Sequence, residues 1–394
     1  MDLLNLIDRK KELFTEDIET HEKKLKELVN NSSFLILGGA GSIGQAVTKE
    51  IFQREPKQLH VIDISENNLV ELVRDLRSSF GYIKGDFQTY ALDIGSWQFD
   101  KFLESKVKYD YILNLSALKH VRSEKDPYTL LRLIEVNILN TLKTIKNAND
   151  LGVKKYFCVS TDKAANPVNM MGGSKRIMEM FLMRESEKIN ISTARFANVA
   201  FSDGSLLHGF NQRIEKRQPI AAPNDIKRYF VTAKESGQLC LMSTLLGENR
   251  DIYFPKLNPE KSLIAFSDIA IRFLNSKGYK AVNCKTEQEA RERIKFIDTN
   301  KIWPCFFSSS NTTGEKSFEE FYTNDEQLDL DRFVDLGIIK NGLKFSDKLD
   351  YFLKELEIIR NNKTVKKEQI VKLFNDLIPN FGHLEKGFYL DSKM

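Results

Sequence analysis

Four residues could together carry acid–base chemistry: Thr161, Asp162, Lys163 and, further along, Lys175. Asp162 and Lys163 are adjacent, so an acid and a base stand side by side. Such a pair suits a reaction in which neighbouring carbons lose a proton and a hydroxyl. To act as a base Lys163 must be neutral, which calls for burial or nearby cations. The structural alternative is that Asp162 caps the helix that follows and Lys163 merely pairs with it. Met171 is related to Lys175 as i to i+4, so on a helix both face the same way.

A second signature lies upstream, at Leu37-Gly38-Gly39-Ala40-Gly41-Ser42-Ile43-Gly44. It follows an apolar run with strand character and opens an amphipathic stretch, the context in which spaced glycines cradle a pyrophosphate. Gly38 is expected at the tight turn, Gly41 where the backbone meets the phosphates, and Gly44 where helix and sheet pack closely. Ser42 and Ile43 belong to the helix's first turn, whose free N–H groups and dipole favour anions. Asp63 ends the next run, QLHVID, where a carboxylate meets the adenosine ribose and repels a 2′-phosphate. The cofactor expected is therefore NAD rather than NADP. The alternative for Asp63 is a cap on the helix starting near Glu66. Asp93 and Ile94 follow the third run and are candidates for the adenine side, an ordinary turn being the alternative. Ser116 and Ala117, after the fourth run, are expected beside the cofactor.

The elements that must position these residues are legible as short apolar runs: FLIL (34–37), QLHVID (58–63), FQTYAL (87–92), YDYILNL (109–115), KKYFCVS (154–160) and ISTARF (191–196). Amphipathic stretches such as NNLVELVRDLRSSF lie between most of them. Buried strands alternating with helices predict an α/β fold, a Rossmann-like doubly wound parallel sheet with a smaller C-terminal substrate lobe. In such sheets ligands bind beyond the carboxyl ends of the strands, where Thr161, Asp162 and Lys163 fall. The expected division is an N-terminal helical extension (1–30), a dinucleotide-binding domain (31–200), a substrate lobe (201–330) and a helical C-terminal tail (331–394).

Of the 394 residues 41% are hydrophobic and 29% charged, enough apolar surface for a sizeable core. The net charge of +4 is spread along the chain and gives no reason to expect a nucleic-acid partner. Cys158, Cys240, Cys284 and Cys305 form no C-x-x-C pair, so neither a metal site nor a disulfide framework is expected. No run is long enough for a membrane span, and the N-terminus is too charged for a signal peptide. A cytoplasmic enzyme and a homo-oligomer are expected.

The chain resembles the extended short-chain dehydrogenase/reductase superfamily. More narrowly it resembles the polysaccharide-biosynthesis dehydratases that act on UDP-N-acetylglucosamine. The resemblance lies in GGAGSIG (38–44), SALKHV (116–121), STDKAANPVNMMGGSKR (160–176), RFANV (195–199), RYFVT (228–232) and TGEKSFEE (313–320). It implies a 4,6-dehydration of UDP-N-acetylglucosamine, or of a relative such as GDP-N-acetylglucosamine, to a 4-keto-6-deoxy sugar for surface polysaccharide or glycan synthesis. It implies Asp162 as general acid, Lys163 as the base at C5, Thr161 near O4 and Lys175 at the nicotinamide ribose. It also implies substrate contacts from Lys119, His120, Asn198, Arg228 and Glu315; taken alone His120 reads as a packing residue, and the Arg228 guanidinium is a candidate for the diphosphate, which it can bind in a bidentate way. Asn137, in EVNILNT, suits a structural helix role as well as an active-site one. Where the superfamily has a catalytic tyrosine this chain has Met171, a replacement familiar in the branch that makes bacillosamine-type sugars. That branch implies retention of configuration at C5. The competing readings are a sugar-nucleotide 4-epimerase or reductase, and a non-catalytic NAD-binding subunit.

Overall fold

A computed structural model describes residues 2–105, 108–297, 301–340, 347–388 and 394. The six expected runs form β1 (Ser33–Leu37), β2 (Gln58–Asp63), β3 (Asp86–Ala91), β4 (Tyr111–Asn114), β5 (Lys155–Thr161) and β6 (Ile191–Phe196). Three more strands complete the sheet: β7 (Ile252–Pro255), β8 (Gln327–Asp329) and β9 (Leu336–Lys340). The order across the sheet is β8-β9-β7-β6-β5-β4-β1-β2-β3. Strands β1 to β7 run parallel, whereas β9 opposes β7 and β8 opposes β9. From β1 the chain winds outward through β2 and β3, then resumes on the other side at β4. The crevice at this reversal is where such sheets bind ligands. Register sharpens the placement: Leu37 pairs with both Ile62 and Asn114, so the glycine loop, Asp63 and Ser116 leave the sheet at one level.

Helices cover both faces. α1 (Thr15–Asn30), α2 (Ser42–Phe52), α3 (Glu66–Phe80) and α5 (Ala233–Leu246) bury Leu25, Val47, Leu72 and Leu239 on one side. α4 (Met170–Glu185) lies on the other, over Cys158 and Ile191, through Met178 and Leu182.

Three expectations need correction. Residues 1–30 are not continuously helical: a turn at Leu3–Leu6 is separated from α1, with Asp8 and Phe14 in the left-handed region at φ 60° and 65°. The first part packs on the substrate lobe through Leu6 and Ile7, the second on the main core, so the chain must bend between them.

The substrate lobe is not contiguous over 201–330. Its small sheet comprises Ile220–Pro223, Lys280–Asn283 and Ile302–Ser308. The segment carrying α5 and β7, and later β8 and β9, returns to the main sheet. These strands extend the sheet beyond β6, whose outer edge would otherwise expose unpaired backbone groups.

The tail is not wholly helical, because Leu336–Lys340 forms β9. Two helices follow, α6 (Leu349–Asn361) and α7 (Lys367–Leu377). Phe352 and Phe374 join Leu130, Ile177 and Phe181 in an apolar cluster over α4. Residues 378–388 then run back over the carboxyl end of the sheet. Gly382 N donates to Pro167 O at 3.1 Å, and Thr313 N to Phe388 O at 2.9 Å.

Candidate active site

The glycine loop meets the demands of a dinucleotide cradle. Gly38 has φ +73°, and a Cβ there would come within 2.7 Å of Ser116 N. A Cβ on Gly44 would fall on the Gly38 carbonyl, so helix and loop can touch only without one. Gly41 caps α2 without a side chain, and the nearest atom to a Cβ there is Gly38 O at 3.8 Å, which leaves that flank open. The first-turn amides, including those of Ser42 and Ile43, have no partners within their own helix. These features fit a bound pyrophosphate.

Asp63 holds the loop in shape. Its Oδ2 accepts from Ala40 N and its Oδ1 from Ser65 N, both at 2.9 Å. The cap of α3 is Ser65, which accepts from Asn68 N, and not Asp63. Asp93 accepts from Gly95 N at 2.8 Å and pairs with Arg132 at 3.3 Å, a turn role; Ile94 is buried beside it. Ser116 N donates to Asn114 Oδ1, and Ala117 is half-buried in the same loop.

At the end of β5 the chain turns through Asp162–Ala164, capped by Thr161. Asp162 is 1% exposed. Its Oδ1 accepts from Thr161 Oγ1 at 2.8 Å, Lys163 N at 2.9 Å and Lys163 Nζ at 3.0 Å. Its Oδ2 is buried without a partner. Both expected alternatives are thus partly realised: the acid and base do pair, but the cap is Thr161 and one carboxylate oxygen is left unused. Lys175 is buried on α4 and donates to Val159 O at 3.0 Å. Loss of solvent lowers its pKa, opposed by Cys158 and Glu179. Met171 is on the same helix, but its side chain belongs to the apolar cluster with Leu133 and Phe374. It therefore packs, and its thioether has no proton to exchange with a sugar hydroxyl.

The loop after β4 is pinned by Asn137, which the sequence left open between structural and active-site roles. Its amide accepts from Leu118 N and donates to Leu118 O and Ser174 Oγ, each at 3.0 Å. It lies in a π-turn, Glu135–Leu139, a distortion frequent near functional sites. Lys119 Nζ reaches Ser202 Oγ at 3.4 Å, and partial desolvation lowers its pKa against the pull of Asp203. His120 packs beside Gly204, and desolvation with Lys119 and Arg122 lowers its pKa.

Two expected substrate residues, Arg228 and Glu315, sit around the turn at 314–320. Arg228 does not stand free for a diphosphate: its Nη1 donates to the carbonyls of Lys227, Lys316 and Ser317. It braces the turn instead, because a buried guanidinium must satisfy its donors. Glu315 accepts from Ser310 and Thr312 Oγ1, and Asn198 Nδ2 donates to Tyr229 O at 3.4 Å. The turn is seated at both ends on the loop that follows β5. Asn169 Nδ2 donates to Gly314 O at 2.8 Å, and Asn166 Nδ2 to Glu320 Oε2 at 2.9 Å. The sequence reading missed Glu319, buried in this turn 3.7 Å from Arg228 and 3.8 Å from Lys316. It was visible within TGEKSFEE, but its pairing with Arg228, 91 residues before it, needs the fold.

Among the described residues no helix is long and apolar enough to cross a membrane, and no group of three or more His, Cys, Asp or Glu is placed to hold a metal.

The chain is 27% identical over 365 residues to an uncharacterized membrane protein, MJ1061, of Methanocaldococcus jannaschii, covering 90% of this chain and 98% of that one. It is 22% identical to a UDP-N-acetylglucosamine 4,6-dehydratase (inverting) of Campylobacter jejuni, covering 82% and 93%. Other relatives are UDP-glucose 4-epimerases of Rickettsia. The chain spans less than half the length of two further relatives, polysaccharide and capsule biosynthesis proteins, 49% and 42% of which are covered. Among solved structures, Pen from Bacillus thuringiensis superposes with a TM-score of 0.64 at 21% identity, over 88% of this chain and 98% of that one. A family model described as polysaccharide biosynthesis protein matches residues 34–340. The Rossmann-like sheet, the glycine cradle and this match together establish that the chain belongs to the polysaccharide biosynthesis protein family, among the sugar-nucleotide dehydratases and epimerases of the extended short-chain dehydrogenase/reductase fold.

Proposed function

We propose that the protein is an NAD-dependent 4,6-dehydratase of UDP-N-acetylglucosamine or of a close relative such as GDP-N-acetylglucosamine. The observation that carries the reading is the Asp162–Lys163 pair at the end of β5. One carboxylate oxygen lies 3.0 Å from the ammonium, and the other is buried with no partner. Leaving a buried acceptor unsatisfied costs about 1–3 kcal/mol, so the free oxygen marks where a donor belongs. A sugar O4 hydroxyl is such a donor. NAD, cradled by Gly38, Gly41 and Gly44 with Asp63 at its ribose, supplies a reversible hydride acceptor. Asp162 takes the O4 proton and later delivers it to the C6 hydroxyl, which leaves as water. Lys163 removes the C5 proton and returns it. Thr161, bonded to Asp162 Oδ1, fixes the carboxylate so that Oδ2 faces the sugar. Lys175 sits beneath, at the nicotinamide ribose. Lys119 and Asn198 line the sugar side, His120 shapes the loop around Lys119, and Glu315 and Arg228 act through the turn they hold.

The dehydratase among the relatives supports the reading, and four buried free thiols suit a reducing cytoplasm. The test is incubation with UDP-N-acetylglucosamine and no added reductant. A product lighter by one water supports the proposal. A 4-epimerase is the second reading, favoured by the epimerase relatives; it would return an isomer of unchanged mass. An untouched substrate would indicate a non-catalytic NAD-binding subunit.

A further inference from the structure

The short segment 201–205 joins the two lobes across the crevice that holds the glycine cradle. It is rooted in the substrate lobe. The Phe201 ring lies 5.8 Å from that of Phe273, and Ser205 Oγ accepts from His208 N at 3.1 Å, capping the helix Leu206–Glu215. Its outward contacts are with the other lobe, on both banks of the crevice. On the β1 side Asp203 N donates to Ser42 Oγ at 2.9 Å. On the β4 side Lys119 Nζ reaches Ser202 Oγ at 3.4 Å, and a Cβ on Gly204 would come within 2.9 Å of His120 Nε2. β1 and β4 are neighbours in the sheet, and the winding reverses between them. A span from Ser42 to Lys119 and His120 therefore crosses the mouth of the cleft in which such sheets bind a dinucleotide.

We infer that segment 201–205 is a gate over the cofactor, shut by Ser42 on one bank and by Lys119 and His120 on the other. The inference rests on the cofactor of the proposed reading and not on its reaction. The segment is shaped before any ligand arrives. Phe201 and Gly204 are left-handed, at φ 57° and 70°, and Ser202 N to Val199 O at 3.2 Å and Ser205 N to Ser202 O at 2.9 Å close its two turns. A left-handed phenylalanine is strained and persists only where its surroundings hold it. Here they are the Phe273 ring within the lobe and the three contacts across the crevice.

Ser42 is where gate and ligand meet. Its Oγ accepts from Asp203 N, and a hydroxyl has a proton of its own to give. Among the described residues nothing takes that proton. Ser42 opens α2, at whose N-terminus an anion docks, so a cofactor phosphate is the acceptor this position offers. A hydroxyl that donates becomes the better acceptor, so a filled cradle strengthens the bond that shuts the gate. Dehydration and epimerisation both move a hydride to the cofactor and back. In either reaction the dinucleotide has to stay enclosed between the two transfers.

A gate differs from a plain binding contact in its kinetics. Loss of a contact speeds dissociation alone, whereas loss of a gate speeds entry and exit together, because both use the same opening. The experiment strips the protein of dinucleotide, follows NADH association by its fluorescence in stopped flow, and follows dissociation by a chase with excess NAD. It compares wild type, Gly204→Val and Ser202→Ala. Valine does not tolerate a left-handed backbone, so Gly204→Val should displace the segment and speed both steps by about tenfold, with Kd changed by less than either rate. Ser202→Ala removes only the bond to Lys119 and should speed both by about two- to fivefold. Gly204→Val rates equal to those of wild type, or faster dissociation with unchanged association, would overturn the inference. If Gly204→Val does not fold, Ser202→Ala decides by the same criteria. A wild type that binds neither NADH nor NAD fails the cofactor reading instead.

Discussion

The Arg195 guanidinium, on β6 and without exposed surface, bonds both oxygens of Glu326, at 2.7 and 2.8 Å. It also bonds both oxygens of Glu179 on α4 and the carbonyl of Phe321. One buried cation thus joins the sheet, the helix that carries Lys175 and the segment leading out of the Glu319 turn. Removing it leaves the two buried carboxylates only Arg176, at 3.6 and 3.4 Å, with Ser160 Oγ and Thr323 N, to offset their charge. Arg195→Met should cost about 3–5 kcal/mol of unfolding free energy, read from denaturant titration. A loss under about 1 kcal/mol would show that the carboxylates find other partners.

The same network gives a pH dependence. Burial alone would raise the Glu326 pKa, but the Arg195 bonds outweigh it and hold the carboxyl below 4.5. A lowered folded pKa adds stability above the unfolded value, which is lost as pH falls through the folded one. Stability should therefore drop as the solution is acidified below about pH 4.5, and the drop should be shallower in Glu326→Gln. Equal slopes in the two proteins would remove Glu326 from the account.

Lys163→Ala and Asp162→Asn should each lower dehydration by about a hundred- to ten-thousand-fold while the protein still holds NAD. Asp162→Asn keeps the shape but removes the acceptor that the buried Oδ2 provides. Turnover within a few-fold of wild type in either variant would take the acid and base roles away.

The purified protein should release NAD, not NADP, on denaturation, because the Asp63 carboxylate repels a 2′-phosphate. Asp63→Ala should lose the cofactor altogether rather than change its preference, since Asp63 also holds the glycine loop through Ala40 N. Identification of the released dinucleotide decides both points. Mostly NADP from wild type would refute the first, and full retention by Asp63→Ala the second.

Burial pushes the Cys158 thiol up to about 11. Only the thiolate reacts readily, so Cys158 should resist alkylation near pH 8 in the folded protein and react once it is unfolded. Rapid labelling of Cys158 in the native state, located by peptide mapping, would contradict its burial against Met178.

Much of this molecule is legible in its sequence. Parallel strands buried on both faces read as unbroken apolar runs, which is why β1, β2, β4, β5, β6 and the glycine loop fall where expected, whereas the edge strand β3, with no buried residue, shows through its strand-forming residues. The Asp162–Lys163 pair was equally visible, because its members are neighbours in the chain. What escaped depends on tertiary contact. β7, a short run ending in Pro255, gains its place only by pairing, with Thr193 and Ala194 on one side and with β9 on the other. Residues 378–388 have no periodicity to announce that they cross Pro167 and Thr313. Arg228 looked like a phosphate ligand because its type suits one, and only the fold shows its nitrogen spent on three carbonyls.

The configuration at C5 is the last expectation, and it turns on which face receives the returning proton. We expect retention, a xylo product, UDP-2-acetamido-2,6-dideoxy-4-keto-xylo-hexose. In the proposed mechanism Lys163 is the base beside Asp162, and a base that returns a proton to the face it came from leaves the centre unchanged. Inversion needs a second acid on the opposite face. Met171 supplies none, since its thioether has no proton and its side chain is packed with Leu133 and Phe374. Met171→Leu, which conserves volume, should accordingly keep most of the activity and the same product. The measurement is NMR of the product formed in deuterated water, with the H5 couplings read for configuration and the H5 signal for exchange. A xylo product with deuterium at C5 fits a lysine that exchanges with solvent between removal and return. An arabino product would refute retention and would require an acid on the far face, which the described residues around Asp162 would then have to supply.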